Sequence, residues 1–134
     1  MTVIDCSAMV ELLVAGTQAG EAIADRLATE ESVNAPYVFD GEVVSALLGL
    51  TRGQKITRRQ ADAAMTNYRA FPIDRHDVLP LWSRIKILYA NLSAYDAQYV
   101  ALAEALGVPL ITADARIKRS RAAECSVEVF GSDT

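Results

Sequence analysis

Histidine is nearly missing from this chain: among 134 residues there is one, His76. A Ser-His-Asp triad and a two-histidine metal site are therefore excluded. His76 precedes a predicted helix, far from the other candidate motifs, and reads as a lone surface residue. Cysteine is almost as scarce. Cys6 and Cys125 lie far apart and fit no ligand spacing, so they are expected to be reduced, buried thiols of a cytoplasmic protein. Half the residues are apolar, yet no apolar run is long enough to span a bilayer. No basic segment followed by a long apolar stretch marks a secretory signal, so no membrane partner is expected. A Gly-rich phosphate loop is also lacking, which removes the usual nucleotide-binding signature. Basic excess is missing too. The formal net charge is −4, so the surface as a whole does not draw nucleic acid. Cations are nonetheless grouped at Arg52, Lys55, Arg58 and Arg59, and again at Arg116, Lys118, Arg119 and Arg121. Each group reads first as a solvated face and second as a holder of a phosphate backbone.

What is present is an alternation of strands and helices. Val3 and Ile4 are β-branched and apolar, as in a strand buried on both faces. Asp5 follows, with Ser7 as N-cap of a helix over Ala8–Ala15 that Gly16 ends. A second helix spans Glu21–Glu30 with Ile23 and Leu27 inward. Val33–Val38 is a strand that Pro36 cuts short or confines near an edge. Gly41 opens the helix Glu42–Thr51, with Val43, Val44, Leu47, Leu48 and Leu50 inward, and Gly53 closes it. Thr57 caps Arg58–Phe71. Phe71–Ile73 is a short strand, and Asp77 caps Val78–Ala90, with Pro80 in its first turn. Ser93 and Asp96 match a capping box before Ala97–Leu106, which Gly107 ends. Val108–Thr112 is a buried strand, followed by Asp114 and a short basic helix to about Arg121. Val127–Phe130 is the last strand, and Gly131–Thr134 is a tail. The pattern predicts one α/β domain over residues 1–134, with a parallel sheet wound by helices on both sides.

Four carboxylates share a placement. Asp5 and Asp114 follow strands, while Glu42 and Asp96 sit in first turns of helices. In a parallel sheet, strand ends and the following helix starts lie at one edge, where ligands bind, so three of the four are expected there. Asp96 follows a helix–helix connection, and the pattern alone does not fix its place. Each acid alone has a plain structural role: a cap, a capping-box member or a charge at a helix dipole. Asp62 and Glu104 read as solvated helix residues. Together the four are different, because two like charges about 5 Å apart repel by roughly 3 kcal/mol at an effective dielectric near 20. Converging carboxylates need a cation or must take up protons. With oxygen donors only, Mg²⁺ or Mn²⁺ is the matching cation. Side chains pointing apart, or neutralised by guanidinium groups, would count against this.

The segments Val3-Ile4-Asp5-Cys6-Ser7, Glu42 after Ala35-Pro36, Leu92-Ser93-Ala94-Tyr95-Asp96-Ala97 and Leu110-Ile111-Thr112-Ala113-Asp114 resemble those of PIN-domain ribonucleases. The likeness is greatest to the VapC toxins of bacterial toxin–antitoxin pairs, and it runs over essentially the whole chain. It implies a Rossmann-like PIN fold, with a central parallel sheet of four to five strands flanked by helices, and a catalytic acidic quartet at Asp5, Glu42, Asp96 and Asp114. Ser7 and Thr112 match the supporting hydroxyl positions. The implied activity is Mg²⁺- or Mn²⁺-dependent endoribonuclease cleavage, a hydrolysis that stops translation until a cognate antitoxin neutralises the toxin. The metal would be held by Asp5, Asp96 and Asp114, with Glu42 acting through water. Arg116 and Lys118 are candidate RNA contacts. The resemblance further implies a homodimer that meets DNA only through the antitoxin. The apolar faces of the Glu42–Thr51 and Arg58–Phe71 helices are candidate seats for an antitoxin tail, with core and dimer packing as the simpler explanation. Many members carry another acid just after the Asp114 position. Arg116 and Ile117 stand in that stretch here, which leaves a second metal short of a ligand.

Two rival readings remain at this level. One is a PIN-like binding module without nuclease activity. The other is a receiver-like signalling domain, also a parallel α/β sheet with clustered acids. The latter needs paired acids after the first strand and a lysine after a late strand. Asp5 is unpaired, and no lysine follows the last strand. Tyr37, Phe39 and Tyr95 are candidates for base stacking, with core packing as the plainer role.

Overall fold

The computed structural model describes residues 1–14 and 16–131. Five short strands form one parallel sheet: β1 (Thr2–Ile4), β2 (Val33–Pro36), β3 (Asp74–His76), β4 (Leu110–Thr112) and β5 (Val127–Val129). Their spatial order is β3-β2-β1-β4-β5, with every pairing parallel. Seven helices connect or flank them: α1 (Cys6–Leu13), α2 (Gln18–Leu27), α3 (Phe39–Arg52), α4 (Arg58–Ala70), α5 (Trp82–Leu88), α6 (Ala94–Leu106) and α7 (Arg116–Ser120). Neighbouring residues Val3 and Ile4, like Leu110 and Ile111, are fully buried, so both faces of the sheet are covered. That fits the near-continuous apolar runs of the two central strands. No helix among the described residues is long and apolar enough to cross a membrane.

The chain leaves β1 toward β2 on one side, and β4 lies on the other. The carboxyl ends of β1 and β4 thus flank the topological switch point, where an open parallel sheet leaves a crevice. The ladder continues one step past β1, since the Asp5 amide donates to the Ile111 carbonyl at 3.1 Å. Asp5 is thereby fixed at the crevice by backbone pairing.

Several expectations shift by a few residues, each for a local reason. The N-cap of α1 is Asp5, whose carboxylate accepts from the Ala8 amide, and Ser7 lies inside the helix. The expected helix end at Ala15 lies outside the described residues, and α1 stops at Leu13. Gly41 does not open α3. That helix starts at Phe39, which is fully buried and meets Tyr68 and Tyr99 edge-on at 5.7 and 6.2 Å. Burial of this ring draws the preceding turn into the helix. Val43 and Leu47 face the core, but Val44 and Leu48 are exposed, because a helix presents a single stripe to its core. The third strand is Asp74–His76 and not Phe71–Ile73. Phe71 is the C-cap of α4, with its amide on Tyr68, while Asp74, Arg75 and His76 pair with Asn34, Ala35 and Pro36. His76 is therefore a strand residue, and its ring lies 2.8 Å from the Asn34 side-chain oxygen. Pro36 does end β2, but in an inner strand and not at an edge. The stretch after Asp77 opens as a 3₁₀ turn, Leu79–Leu81, before α5. Cys6 and Cys125 are free thiols, half-buried and not fully buried. Glu104 is bound by Arg84 at 2.7 and 3.0 Å and is not a solvated residue. The end of the tail, residues 132–134, lies outside the described residues.

Candidate active site

Asp5 is the most completely held carboxylate in the crevice. Its Oδ1 accepts from the Ser7 hydroxyl at 2.7 Å and from the Ala8 amide at 3.0 Å, and its Oδ2 accepts from the Thr112 hydroxyl at 2.5 Å. Every one of these donors is neutral. Burial therefore dominates, and the carboxyl pKa is pushed up to about 6 despite the donors, with the Asp96 charge adding to the rise. Ser7 and Thr112 extend the network to the β4 side. Ser7 Oγ accepts from the Ala113 amide at 2.9 Å, Thr112 Oγ1 accepts from the Asp114 amide at 3.0 Å, and the two hydroxyls lie 3.2 Å apart. One knot of hydroxyls and amides thus ties the end of β1 to the end of β4.

Glu42 enters from the first turn of α3. Its Oε1 accepts from the Tyr99 hydroxyl at 2.5 Å. Burial raises its pKa, Tyr99 opposes the rise, and the Asp96 charge adds to it. Asp96 enters from the first turn of α6. The Ser93 hydroxyl accepts from the Asp96 amide at 3.0 Å, which is half of the expected capping box. No hydrogen bond from Asp96 back to the Ser93 amide completes it among the described residues, in contrast to the full box of Thr57 and Gln60. The Asp96 carboxylate is thus left to the crevice. Burial raises its pKa, as does the charge of Asp114, while Ser93 lowers it.

Asp114 differs. Arg116 closes on both its oxygens, with Nη2 to Oδ2 at 2.6 Å and Nε to the two oxygens at 2.9 and 3.0 Å. This guanidinium holds the Asp114 carboxyl below the usual carboxylate range. Arg116 is itself 78% exposed. The expected phosphate contact is therefore engaged in a carboxylate clamp. No group of three or more His, Cys, Asp or Glu side chains, among the described residues, is arranged to hold a metal ion as it stands.

The donor set still fits a hard divalent cation in kind. It is all oxygen, and three of its acids have their proton affinity raised by burial and mutual charge, as expected of ligands without their cation. Asp5 Oδ2 accepts a single hydrogen bond, and no donor is engaged on Glu42 Oε2 among the described residues. Asp114 joins such a set only when Arg116 swings away.

Tyr99 went unnoticed as a site residue in the sequence, although it lies three positions after Asp96 on the same helix. An apolar helix such as α6 hides a tyrosine with a task among core residues, and only its buried hydroxyl gives it away. Among the stacking candidates, Phe39 is core, while Tyr37 and Tyr95 are 65% and 54% exposed.

The PIN domain model matches residues 2–122. The chain is 37% identical over 129 residues to ribonuclease VapC9 of Mycobacterium tuberculosis, covering 96% of this chain and 98% of that protein. With ribonuclease VapC12 of the same organism it shares 39% over the same spans. Among solved structures, VapBC2 of Rickettsia felis, crystallised with a DNA fragment from its promoter, superposes with a TM-score of 0.64 at 12% identity. The overlap covers 95% of this chain and 96% of that one, and it reports the fold alone. With its sheet order, its crevice at the β1–β4 switch point and these likenesses through nearly its whole length, the chain belongs to the PIN-domain family, among the VapC ribonucleases.

Proposed function

We propose that this chain is a divalent-metal-dependent endoribonuclease, the toxin of a toxin–antitoxin pair. The observation that carries the proposal is chemical. Asp5, Glu42 and Asp96 come from three elements to one sheet edge, and among the described residues no cationic side chain bonds to any of them. Asp5, Asp96 and Asp114 would hold Mg²⁺ or Mn²⁺, with Glu42 acting through water. When bound, such an ion polarises the scissile phosphate, steadies the leaving oxygen and makes an attacking water acidic. Glu42 is the proton acceptor, oriented by the Tyr99 hydroxyl. Ser7 and Thr112 fix the Asp5 rotamer by their hydrogen bonds to its two oxygens. Arg116 and Lys118 lie at the rim, where Arg116 exchanges Asp114 for an RNA phosphate as substrate enters.

The fold shared with a VapBC complex supports an antitoxin partner. A cognate antitoxin would neutralise the enzyme and bring it to promoter DNA, and the working form would be a cytoplasmic homodimer. Incubation of an RNA panel with the chain and Mn²⁺ or Mg²⁺ tests the activity. Products with 5′-phosphate and 3′-hydroxyl ends are expected, and EDTA should stop the reaction. A 2′,3′-cyclic phosphate product, or cleavage that survives chelation, would overturn the mechanism.

A further inference from the structure

Seven basic side chains of the described residues that belong to the two sequence clusters lack an acidic partner: Arg52, Lys55, Arg58, Arg59, Lys118, Arg119 and Arg121. The remaining one, Arg116, is paired with Asp114. The two clusters sit differently on the sheet. α3 begins at the site edge with Glu42 in its first turn, and the first cluster begins only at its last residue, Arg52, about 15 Å further along the helix. The second cluster begins directly after Asp114. There a cavity of about 610 Å³ is lined by Ala115, Lys118, Arg119 and Arg121, with Val129 and Gly131 opposite. A second cavity of about 290 Å³ shares Lys118 and Arg121 and runs on to Ser126 and Val127. Neither cavity has an acidic residue in its wall.

The strand period explains that one-sided charge. Val127 and Val129 line the two basic cavities, whereas Glu128 between them belongs to the other face of β5, where Arg26 binds it at 2.8 and 3.1 Å. Of the other nearby acids, Glu124 is turned to Arg84 and Asp114 is clamped by Arg116. Arg121 adds a second observation. It ends α7 in the left-handed conformation, φ 58°, a position where glycine is the unstrained choice. A long cation stands there despite the strain, and its side chain lines both cavities.

We propose that Lys118, Arg119 and Arg121 form a track for the phosphate backbone of single-stranded RNA, carrying the strand from Asp114 along the α7–β5 surface. The track rests on the proposed role of the chain as an RNA-cleaving enzyme. It reads backbone charge and not base identity, so it sets how firmly and in which direction a strand lies across the crevice.

Binding of a fluorescein-labelled single-stranded RNA to the full chain in EDTA, followed by anisotropy from 50 to 200 mM salt, tests the track. Replacing Lys118, Arg119 and Arg121 together with Gln should weaken binding about tenfold or more at low salt. The slope of log affinity against log salt should fall by about 2, since each single-strand phosphate contact contributes about 0.7. The matched change of Lys55, Arg58 and Arg59 to Gln should leave the slope unchanged. Arg121→Gly alone should lower the slope by about 0.7 with a melting temperature no lower than that of the parent, so a folding defect cannot account for the loss. An unchanged slope in the first triple variant, or an equal fall in both, would overturn the track. Cleavage of unlabelled RNA by the parent chain in Mn²⁺, measured separately, reports on the enzyme reading. An active parent with an unaffected triple variant sinks only the track, and an inactive parent with a lowered slope sinks only the nuclease.

Discussion

Asp5 and Asp114 follow adjacent strands of the same sheet, yet their carboxylates are held in opposite ways. Asp5 is buried and meets only neutral donors from Ser7, Ala8 and Thr112, and its pKa stands at about 6. Asp114 is clamped by a guanidinium that is itself mostly in water, and its pKa is lowered. The first acid has every hydrogen bond it needs except a counter-charge. The second has a counter-charge that can leave. A fold that only needed to cap its helices would have no reason to desolvate Asp5 among uncharged partners. On the proposed reading, a cation would stand beside Asp5, and Asp114 would be the adjustable ligand, released when Arg116 moves.

The sharpest way to break this contrast is to remove the Asp5 charge and keep its shape. Asp5→Asn retains an oxygen for the Ala8 amide and the Ser7 hydroxyl, while Thr112 can turn to accept from the new amide. Cleavage should fall by about a thousandfold, the loss of roughly 4 kcal/mol of charge stabilisation. Circular dichroism should match that of the parent, and the melting temperature should be no lower. Single-turnover cleavage in Mn²⁺ checks this, and near-normal turnover in the variant would remove Asp5 from the chemistry.

The same buried acid gives a pH signature without any catalysis. Its pKa is higher in the folded chain than the ordinary value of 3.8. The folded form therefore binds more protons between about pH 4 and pH 6, and the contribution is favourable in acid and lost as pH rises through that window. The loss amounts to about 3 kcal/mol, or roughly two pKa units. Denaturant titrations in EDTA at pH 4.5 and 6.5 should show the decline, Asp5→Asn should lessen it, with Glu42 and Asp96 supplying the rest, and added Mn²⁺ should restore stability at the higher pH. A stability that rises over this range in the parent and the Asn variant alike would show that Asp5 is ionised without a cation.

Thr112→Val probes the link between the two acids. It deletes the donor to Asp5 Oδ2 and the acceptor of the Asp114 amide at nearly constant volume. Loss of a buried hydrogen-bonded hydroxyl should cost about 1–3 kcal/mol in denaturant unfolding, and cleavage should fall about 10–100-fold as the Asp5 rotamer loosens. Thr112→Ser keeps the hydroxyl and should recover most of the rate. Failure of Ser to recover it would mean that packing, and not the bond to Asp5, explains the defect.

Legibility in the sequence followed the range of the forces involved. The parallel sheet was readable because Val3-Ile4 and Leu110-Ile111 are buried on both faces, which leaves an apolar run as its trace. The placement of Asp5 and Asp114 at one edge was readable from the strand–acid order alone. Helix starts were less so. Phe39 begins α3 because its ring packs against Tyr68 and Tyr99, contacts 29 and 60 positions away that no local window contains. The strand at Asp74–His76 is polar and takes its place from pairing with β2, so its composition gave no sign of it. The Arg116 clamp on Asp114 was within reach, two residues apart, but a rotamer choice between carboxylate and solvent leaves no mark on composition.

That clamp yields the smallest and most discriminating effect. Arg116 is 78% exposed, so Arg116→Ala should leave the melting temperature nearly unchanged, because water screens an exposed pair. What changes is the competition for Asp114. Without the guanidinium, its pKa returns toward the ordinary range and both its oxygens are open to a cation. Half-saturation by Mn²⁺, followed by the loss of the free-ion electron paramagnetic resonance signal, should come at a several-fold lower concentration in the variant. If Arg116 also meets the substrate as it leaves Asp114, the same variant should show a raised KM for RNA, so that tighter metal and weaker RNA appear together. Unaltered Mn²⁺ affinity in Arg116→Ala would mean that Asp114 is no ligand, and the crevice would then act through Asp5, Glu42 and Asp96 alone.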